Sequence, residues 1–147
     1  MATFARHTDV EWTGGLLDGN GTARAGSGAF SLPVTFASRI AEREDGKTTP
    51  EEFMAASHAV CYAMVLTNTI SKQGGKATRI RVTATVTADK SDTGIKVASS
   101  HLKATVEGLE GIDRGKLQEL AEGAEKGCPI SNAIRGTVAI SVDAQAI

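Results

Sequence analysis

The sequence predicts an α+β fold, with antiparallel β-sheet meanders around a long central helix and a second helix. Three observations predict it. Residues 53–71 contain no Asp, Glu, Lys or Arg, and an uncharged helical run between charged flanks marks a core helix. Residues 79–88 alternate, with Ile80, Val82, Ala84 and Val86 on one parity, as a half-buried strand does. Further strand-like runs lie before and after the two helical stretches, the arrangement of an α+β domain.

Taken in order, residues 9–13 alternate polar and apolar around Trp12, and Gly14-Gly15 breaks the run. Asn20-Gly21 is a strong turn dipeptide and predicts a hairpin between the residues on either side. Gly26-Ser27-Gly28 supplies another turn, after which residues 30–36 alternate again. Pro33 cannot donate to a β ladder and places that strand at a sheet edge. Residues 37–47 are polar and charged; they read as a loop that carries Arg39 into the central helix.

That helix has its own start and stop signals. Thr49 is a natural N-cap, Pro50 suits the first helical position, and Glu52 completes a capping box. Lys72 complements the helix dipole at the far end, where Gly74-Gly75 can turn left-handed. Ala55, Ala59 and Ala63 form a small-residue stripe for close packing. Ser57, His58, Thr67, Asn68 and Thr69 interrupt the apolar run, which argues for a core helix over a membrane span.

After the strand at 79–88, Asp92-Thr93-Gly94 turns the chain back. Ile95 and Val97 hold one parity and Leu102, Ala104 and Val106 the other, so a bulge is predicted near Ser99-Ser100. Asp113 can cap the second helix, whose apolar face is Leu117, Leu120, Ala121 and Ala124 and whose end is Lys126-Gly127. A short helical turn over 130–135 follows Cys128-Pro129, and Gly136 releases a last strand at 137–142. No repeat, low-complexity run or linker divides the 147 residues, so a single domain over 1–147 is expected.

Composition excludes several classes of function. Net charge is −1 with acids and bases interspersed, so nothing points to nucleic acid or to an anionic membrane surface. The first seven residues contain no apolar segment of signal-peptide type, and a cytoplasmic, reducing location is the expectation. Two cysteines far apart in sequence are then poor candidates for a permanent staple. The three histidines show no ligand spacing relative to them, so no metal and no cofactor is expected. A transient redox pair remains.

The two thiols differ in setting. Cys61 lies mid-helix in apolar surroundings, where burial alone raises a thiol's pKa; a working thiolate there needs a cationic partner. Cys128 precedes Pro129 and occupies the cap position of the short turn, where backbone amides favour negative charge. His58 is three residues before Cys61 on the same side of the helix and reads either as a base for the thiol or as a hydrogen-bonded core histidine. Trp12 and Tyr62 read as core residues, and His7 and His101 as surface or strand residues.

At this point two blocks carry a resemblance. Residues 49–64, from Thr49-Pro50-Glu51-Glu52-Phe53 to Cys61-Tyr62-Ala63-Met64, and residues 127–134, opening Gly127-Cys128-Pro129, resemble the signature blocks of the OsmC/Ohr family of thiol peroxidases. Glu11-Trp12-Thr13-Gly14, Asn20-Gly21 and Phe36-Ala37-Ser38-Arg39 look more like the OsmC branch than the Ohr branch. The resemblance implies a cysteine-based peroxidase, an intertwined homodimer that reduces organic hydroperoxides, and hydrogen peroxide less efficiently, in oxidative and osmotic stress defence. It implies that Cys61 is the peroxidatic thiolate and Cys128 the resolving thiol. A Cys61 sulfenic acid would close to a Cys61–Cys128 disulfide, recycled by a dithiol of lipoyl type or another thiol. It further implies that Arg39 holds Cys61 as thiolate and that Glu51 orients Arg39, with Arg43 nearby as the competing guanidinium.

Helix geometry adds a constraint. Glu51 and Cys61 are ten residues apart on one helix, about 15 Å along its axis. Composite sites are therefore expected, with Arg39 and Glu51 donated by the partner subunit. Phe53, Met54, Met64 and Val65 are candidates to line a pocket for bulky alkyl peroxides. The competing readings are a non-catalytic thiol sensor or small-ligand-binding protein using the same pair, and a structural or lipid-binding module with incidental cysteines.

Overall fold

A computed structural model describes residues 1–147, which form two compact units, Met1–Phe53 and Met54–Ile147. The first unit is built on a three-stranded antiparallel sheet of β1 (Thr8–Thr13), β2 (Asn20–Ala25) and β3 (Ser31–Val34), in that order. Pro33 lies on the edge strand β3, where its missing N–H costs no ladder bond.

The hairpin between β1 and β2 exists, but Asn20-Gly21 does not make its turn. Both residues belong to β2, opposite Thr13 and Trp12. The turn is the Gly14–Gly19 loop, closed by the Gly19 N–H on the Gly15 carbonyl (2.9 Å) and the Gly15 N–H on Asp18 Oδ1 (3.0 Å). Gly21 serves packing instead. A Cβ there would lie 2.8 Å from Cε3 of the Trp12 ring and 2.8 Å from the Glu11 carbonyl oxygen. Gly21→Ala is expected to cost about 1–3 kcal/mol by overpacking, measurable as a lowered urea midpoint at unchanged m-value.

Residues 37–47 are not all loop. Thr35 caps a single helical turn, α1 (Phe36–Arg39), by accepting the Ser38 N–H at 3.1 Å on its hydroxyl. The turn brings Arg39 to a defined position rather than leaving it on a free loop.

The central helix α2 (Pro50–Lys72) starts and stops where its signals lie. Thr49 Oγ1 accepts the Glu52 N–H at 3.1 Å. At the other end the Gly75 N–H reaches the Ile70 carbonyl and the Gly74 N–H the Ser71 carbonyl, both at 3.0 Å, with Gly74 at φ +76°. This is the Schellman pattern, and glycine is suited to it because a Cβ is disfavoured at that φ.

In the second unit α2 buries His58, Tyr62, Leu66 and Ile70, spaced every four residues. Tyr62, Leu66 and Ile70 form one core with Leu102, Ala104 and Val106 of β5 (Gly94–Glu107) and with Leu117, Ala121 and Ala124 of α3 (Leu117–Lys126). By length and composition α2 would reach across a membrane, yet this stripe is core. The buried stripe is not the alanine stripe: Ala55, Ala59 and Ala63 are only half-buried, and Val60 and Met64 stay 55% and 68% exposed.

Strand β4 (Arg79–Ser91) pairs antiparallel with β5. The parity switch in β5 is a bulge: Thr87 faces Ser99 but Ala88 faces Val97, leaving Ala98 as the extra residue. The expectation of purely antiparallel meanders needs one correction. Strand β6 (Ala139–Ala146) runs parallel to β5, from Ser99 opposite Ala139 to Val106 opposite Ala146. The reason is the connection. A parallel neighbour needs a crossover, and α3 with the short α4 (Pro129–Ile134) provides it. Asp113 caps a 3-10 turn, Arg114–Lys116, that leads into α3. Gln118 of α3 then mimics a neighbouring strand for β6, donating to the Val142 carbonyl and accepting the Ala144 N–H, both at 2.8 Å.

Candidate active site

The second unit brings Cys61 and Cys128 together. Cys61, half-buried on α2, and Cys128, fully buried at the cap position of α4, are both free thiols, near enough to influence each other. Pro129 is the first residue of α4, so the chain leaves Cys128 in extended conformation and enters the helix at once. Ile130, one position further on, lies close enough for its backbone N–H to act on the Cys61 sulfur.

These contacts set the thiol's acidity. Burial pushes the Cys61 pKa above its ordinary value, the Ile130 N–H pulls it down, and the neighbouring Cys128 pushes it up again; the net shift is upward.

His58 is not a base for Cys61. Its ring is fully buried, with Nδ1 at 2.7 Å from the Ser100 hydroxyl and Nε2 at 2.8 Å from the Ser131 hydroxyl, so both nitrogens are engaged. Burial lowers its pKa, opposed by the charge of Glu125. Of the two readings open from sequence, the hydrogen-bonded core histidine is the observed one. Tyr62 is also core, its hydroxyl donating to the Ala121 carbonyl at 3.0 Å.

The first unit holds the other two candidates as a pair. Arg39 donates from Nε to both carboxylate oxygens of Glu51, at 3.0 and 3.2 Å, and from Nη2 to Oε1 at 2.6 Å. Burial opposes ionisation of Glu51, but the Arg39 hydrogen bonds prevail and hold its carboxyl below the usual value. Arg43 makes no ion pair. Arg39 also lines an apolar pocket of about 680 Å³ within this unit, walled by Val10, Trp12, Leu16, Val34, Phe36 and Phe53.

The sequence reading missed part of this. Trp12, read as core, is 41% exposed and walls the pocket. Of the four residues expected to line one pocket, Phe53 alone lines this one, and Met64 borders a different groove, between α2 and the start of β4. Ser100, Ser131 and the Ile130 amide were not singled out. Only Ser131, three residues after Cys128 in a Cys-Pro-x-Ser run, carried a local signal.

Comparison with known proteins decides the family. The OsmC-like protein family profile matches residues 43–143. The chain is 32% identical over 139 residues to the peroxiredoxin OsmC of Escherichia coli, covering 94% of this chain and 95% of that protein. The chain belongs to the OsmC family. The organic hydroperoxide resistance protein OhrB of Bacillus subtilis is 28% identical over 117 residues, covering 79% of this chain and 82% of that protein. An organic hydroperoxide resistance protein from Elizabethkingia anophelis superposes with a TM-score of 0.77 at 25% identity, over the whole of both chains. The OsmC-like match spans Glu51 and both cysteines and begins after Arg39. In this OsmC-family chain Arg39 therefore rests on its own geometry: the α1 turn, the bidentate hold of Glu51 and the apolar pocket.

Proposed function

We propose that this chain is a two-thiol peroxidase that reduces organic hydroperoxides to alcohols, and hydrogen peroxide less efficiently, as part of oxidative and osmotic stress defence in the cytoplasm. The observation that carries the reading is the pairing of the Cys61 thiol on α2 with the Cys128 thiol at the start of α4, beside the Ile130 amide. In the first step the Cys61 thiolate attacks the outer peroxide oxygen. The O–O bond breaks, Cys61 becomes a sulfenic acid, and the alkoxide takes a proton to leave as alcohol. The Cys128 thiol then displaces water from the sulfenic acid and closes the disulfide. A dithiol of lipoyl type reopens it through a mixed disulfide and departs as its own cyclic disulfide.

The raised Cys61 pKa means that the thiolate needs a cation, and Arg39 is the candidate. Because ten helical residues place Glu51 about 15 Å along the axis from Cys61, the Arg39–Glu51 pair serves the thiol of a second copy. The exposed Val60 and Met64 on α2 support such a homodimer, being apolar surface that a single chain leaves uncovered. The apolar pocket beside Arg39 suits the alkyl part of an organic hydroperoxide.

The test is consumption of cumene hydroperoxide with dihydrolipoamide as reductant. Many equivalents consumed per chain are expected. Oxidation that halts at one equivalent would make the pair a sensor, and absence of reaction would leave the thiols a structural feature.

A further inference from the structure

One buried polar group has no part in the chemistry above, and its placement gives it one. His58 sits one helical turn before Cys61 on α2, wholly excluded from solvent. Its two ring nitrogens reach two serines on two other elements, Ser100 on β5 and Ser131 on α4. A fully buried imidazole is costly unless both nitrogens find partners, and both do. The serine hydroxyls suit this, since each can donate or accept according to the tautomer.

Apart from the two groups beside Cys61, the Ile130 amide and Cys128, the other polar ties of α4 do not lead to α2. Arg135 reaches Glu125 at 2.6 Å and Asn132 reaches the Lys126 carbonyl at 3.1 Å, both at the end of α3. Cys128 itself has no side-chain cap bond, and its N–H goes to the Glu125 carbonyl at 3.0 Å. The His58–Ser131 bond is therefore the side-chain hydrogen bond that fixes α4 against the helix bearing Cys61. Cys128 caps α4, Ile130 lies in its first turn, and Ser131 follows immediately. Whatever places Ser131 also places the Ile130 amide and the Cys128 sulfur relative to Cys61.

We propose that His58, through Ser131, is a positioning residue that holds the start of α4 over Cys61 and so sets the ease with which Cys61 and Cys128 join. Its ring nitrogens are bonded to serines and to neither sulfur, and it transfers no proton. Its effect is on orientation: two thiols on pre-placed elements close a disulfide with a higher effective concentration than two thiols on elements free to shift. Ser100 anchors the opposite edge of the ring to the sheet and does not bear on α4 directly. The consequence for turnover rests on the two-thiol reading above, but the geometry does not.

The experiment therefore uses equilibrium with a glutathione redox buffer, which requires no peroxide. The ratio of Cys61–Cys128 disulfide to dithiol is read by mass spectrometry after alkylation, in the full chain. The amide of asparagine lies near the place of Nδ1 and that of glutamine near the place of Nε2, so the two separate the contacts. His58→Asn and Ser131→Ala, which lose the α4 contact, are expected to lower the effective concentration of the thiol pair by about tenfold. His58→Gln and Ser131→Thr, which keep a hydrogen-bonding group facing α4, are expected to restore most of it. Ser100→Ala should change it by less than about threefold, since the α4 contact stays. Wild-type values in Ser131→Ala and His58→Asn would overturn the proposal. So would an equal fall in all five variants, which would mean general loss of packing, checked by their thermal melting. If wild type forms the disulfide with this pattern among the variants but consumes no hydroperoxide, the positioning role stands and the peroxidase reading fails.

Discussion

Cys61→Ser is expected to lower hydroperoxide consumption by at least about a thousandfold, the scale on which loss of an enzyme's nucleophile acts. A serine hydroxyl in the same place is almost wholly protonated at neutral pH and attacks peroxide oxygen poorly. Cys128→Ser is expected to fail differently. Cys61 is still present, so the first equivalent of hydroperoxide is still consumed. The sulfenic acid then has no internal thiol to meet, and a second peroxide carries it to the sulfinic acid, which a dithiol cannot reduce. Progress curves with dihydrolipoamide should show a burst of about two equivalents per chain in Cys128→Ser, one for the sulfenic and one for the sulfinic acid, followed by loss of activity, and no burst in Cys61→Ser. Mass spectrometry of the Cys61 peptide should show a gain of two oxygens only in Cys128→Ser. Sustained turnover by Cys128→Ser would remove Cys128 from the mechanism.

The parts of the fold legible in the sequence were those with local chemical causes. The limits of α2 follow from Thr49, Pro50 and Gly74, each acting within one turn. The bulge followed from a parity switch, because two hydrophobic sets cannot share one face without an extra residue. What failed depended on contacts distant in sequence. Asn20-Gly21 has the composition of a turn, but Gly21 answers to the Trp12 ring across the ladder. The parallel direction of β6 depends on where α3 and α4 carry the chain, which alternation within the strand does not encode. The candidate site divides in the same way. Its ionisable residues stood out by type, and resemblance assigned them roles. The Ile130 amide has no side-chain signature, and the ties from His58 to Ser100 and Ser131 span 42 and 73 residues.

Arg39→Ala is expected to lower turnover by about 10²–10³-fold, the cost of removing a preorganised group that stabilises developing charge. Glu51→Gln should have a smaller effect in the same direction: the neutral amide still accepts from the guanidinium but no longer provides the charged, bidentate hold seen at 2.6–3.2 Å. The stronger test concerns the origin of the cation. If each site joins the Arg39 of one chain to the Cys61 of another, Arg39→Ala and Cys61→Ser chains are inactive alone for different reasons. When they are mixed, unfolded together and refolded, about half of the dimers contain one of each. In such a dimer one site combines intact Cys61 with intact Arg39, and the other combines both defects. Activity should therefore recover to about a quarter of wild type, one working site in half of the dimers. If Arg39 served the Cys61 of its own chain, every site in the mixture would carry one defect and no activity would return. The double variant Arg39→Ala, Cys61→Ser separates the two cases again. Paired with wild type in a mixed dimer, it disables both sites under the composite arrangement and one under the other, so refolding an equal mixture lowers activity from about a half to about a quarter of the all-wild-type value when the sites are shared and leaves it at about a half when they are not.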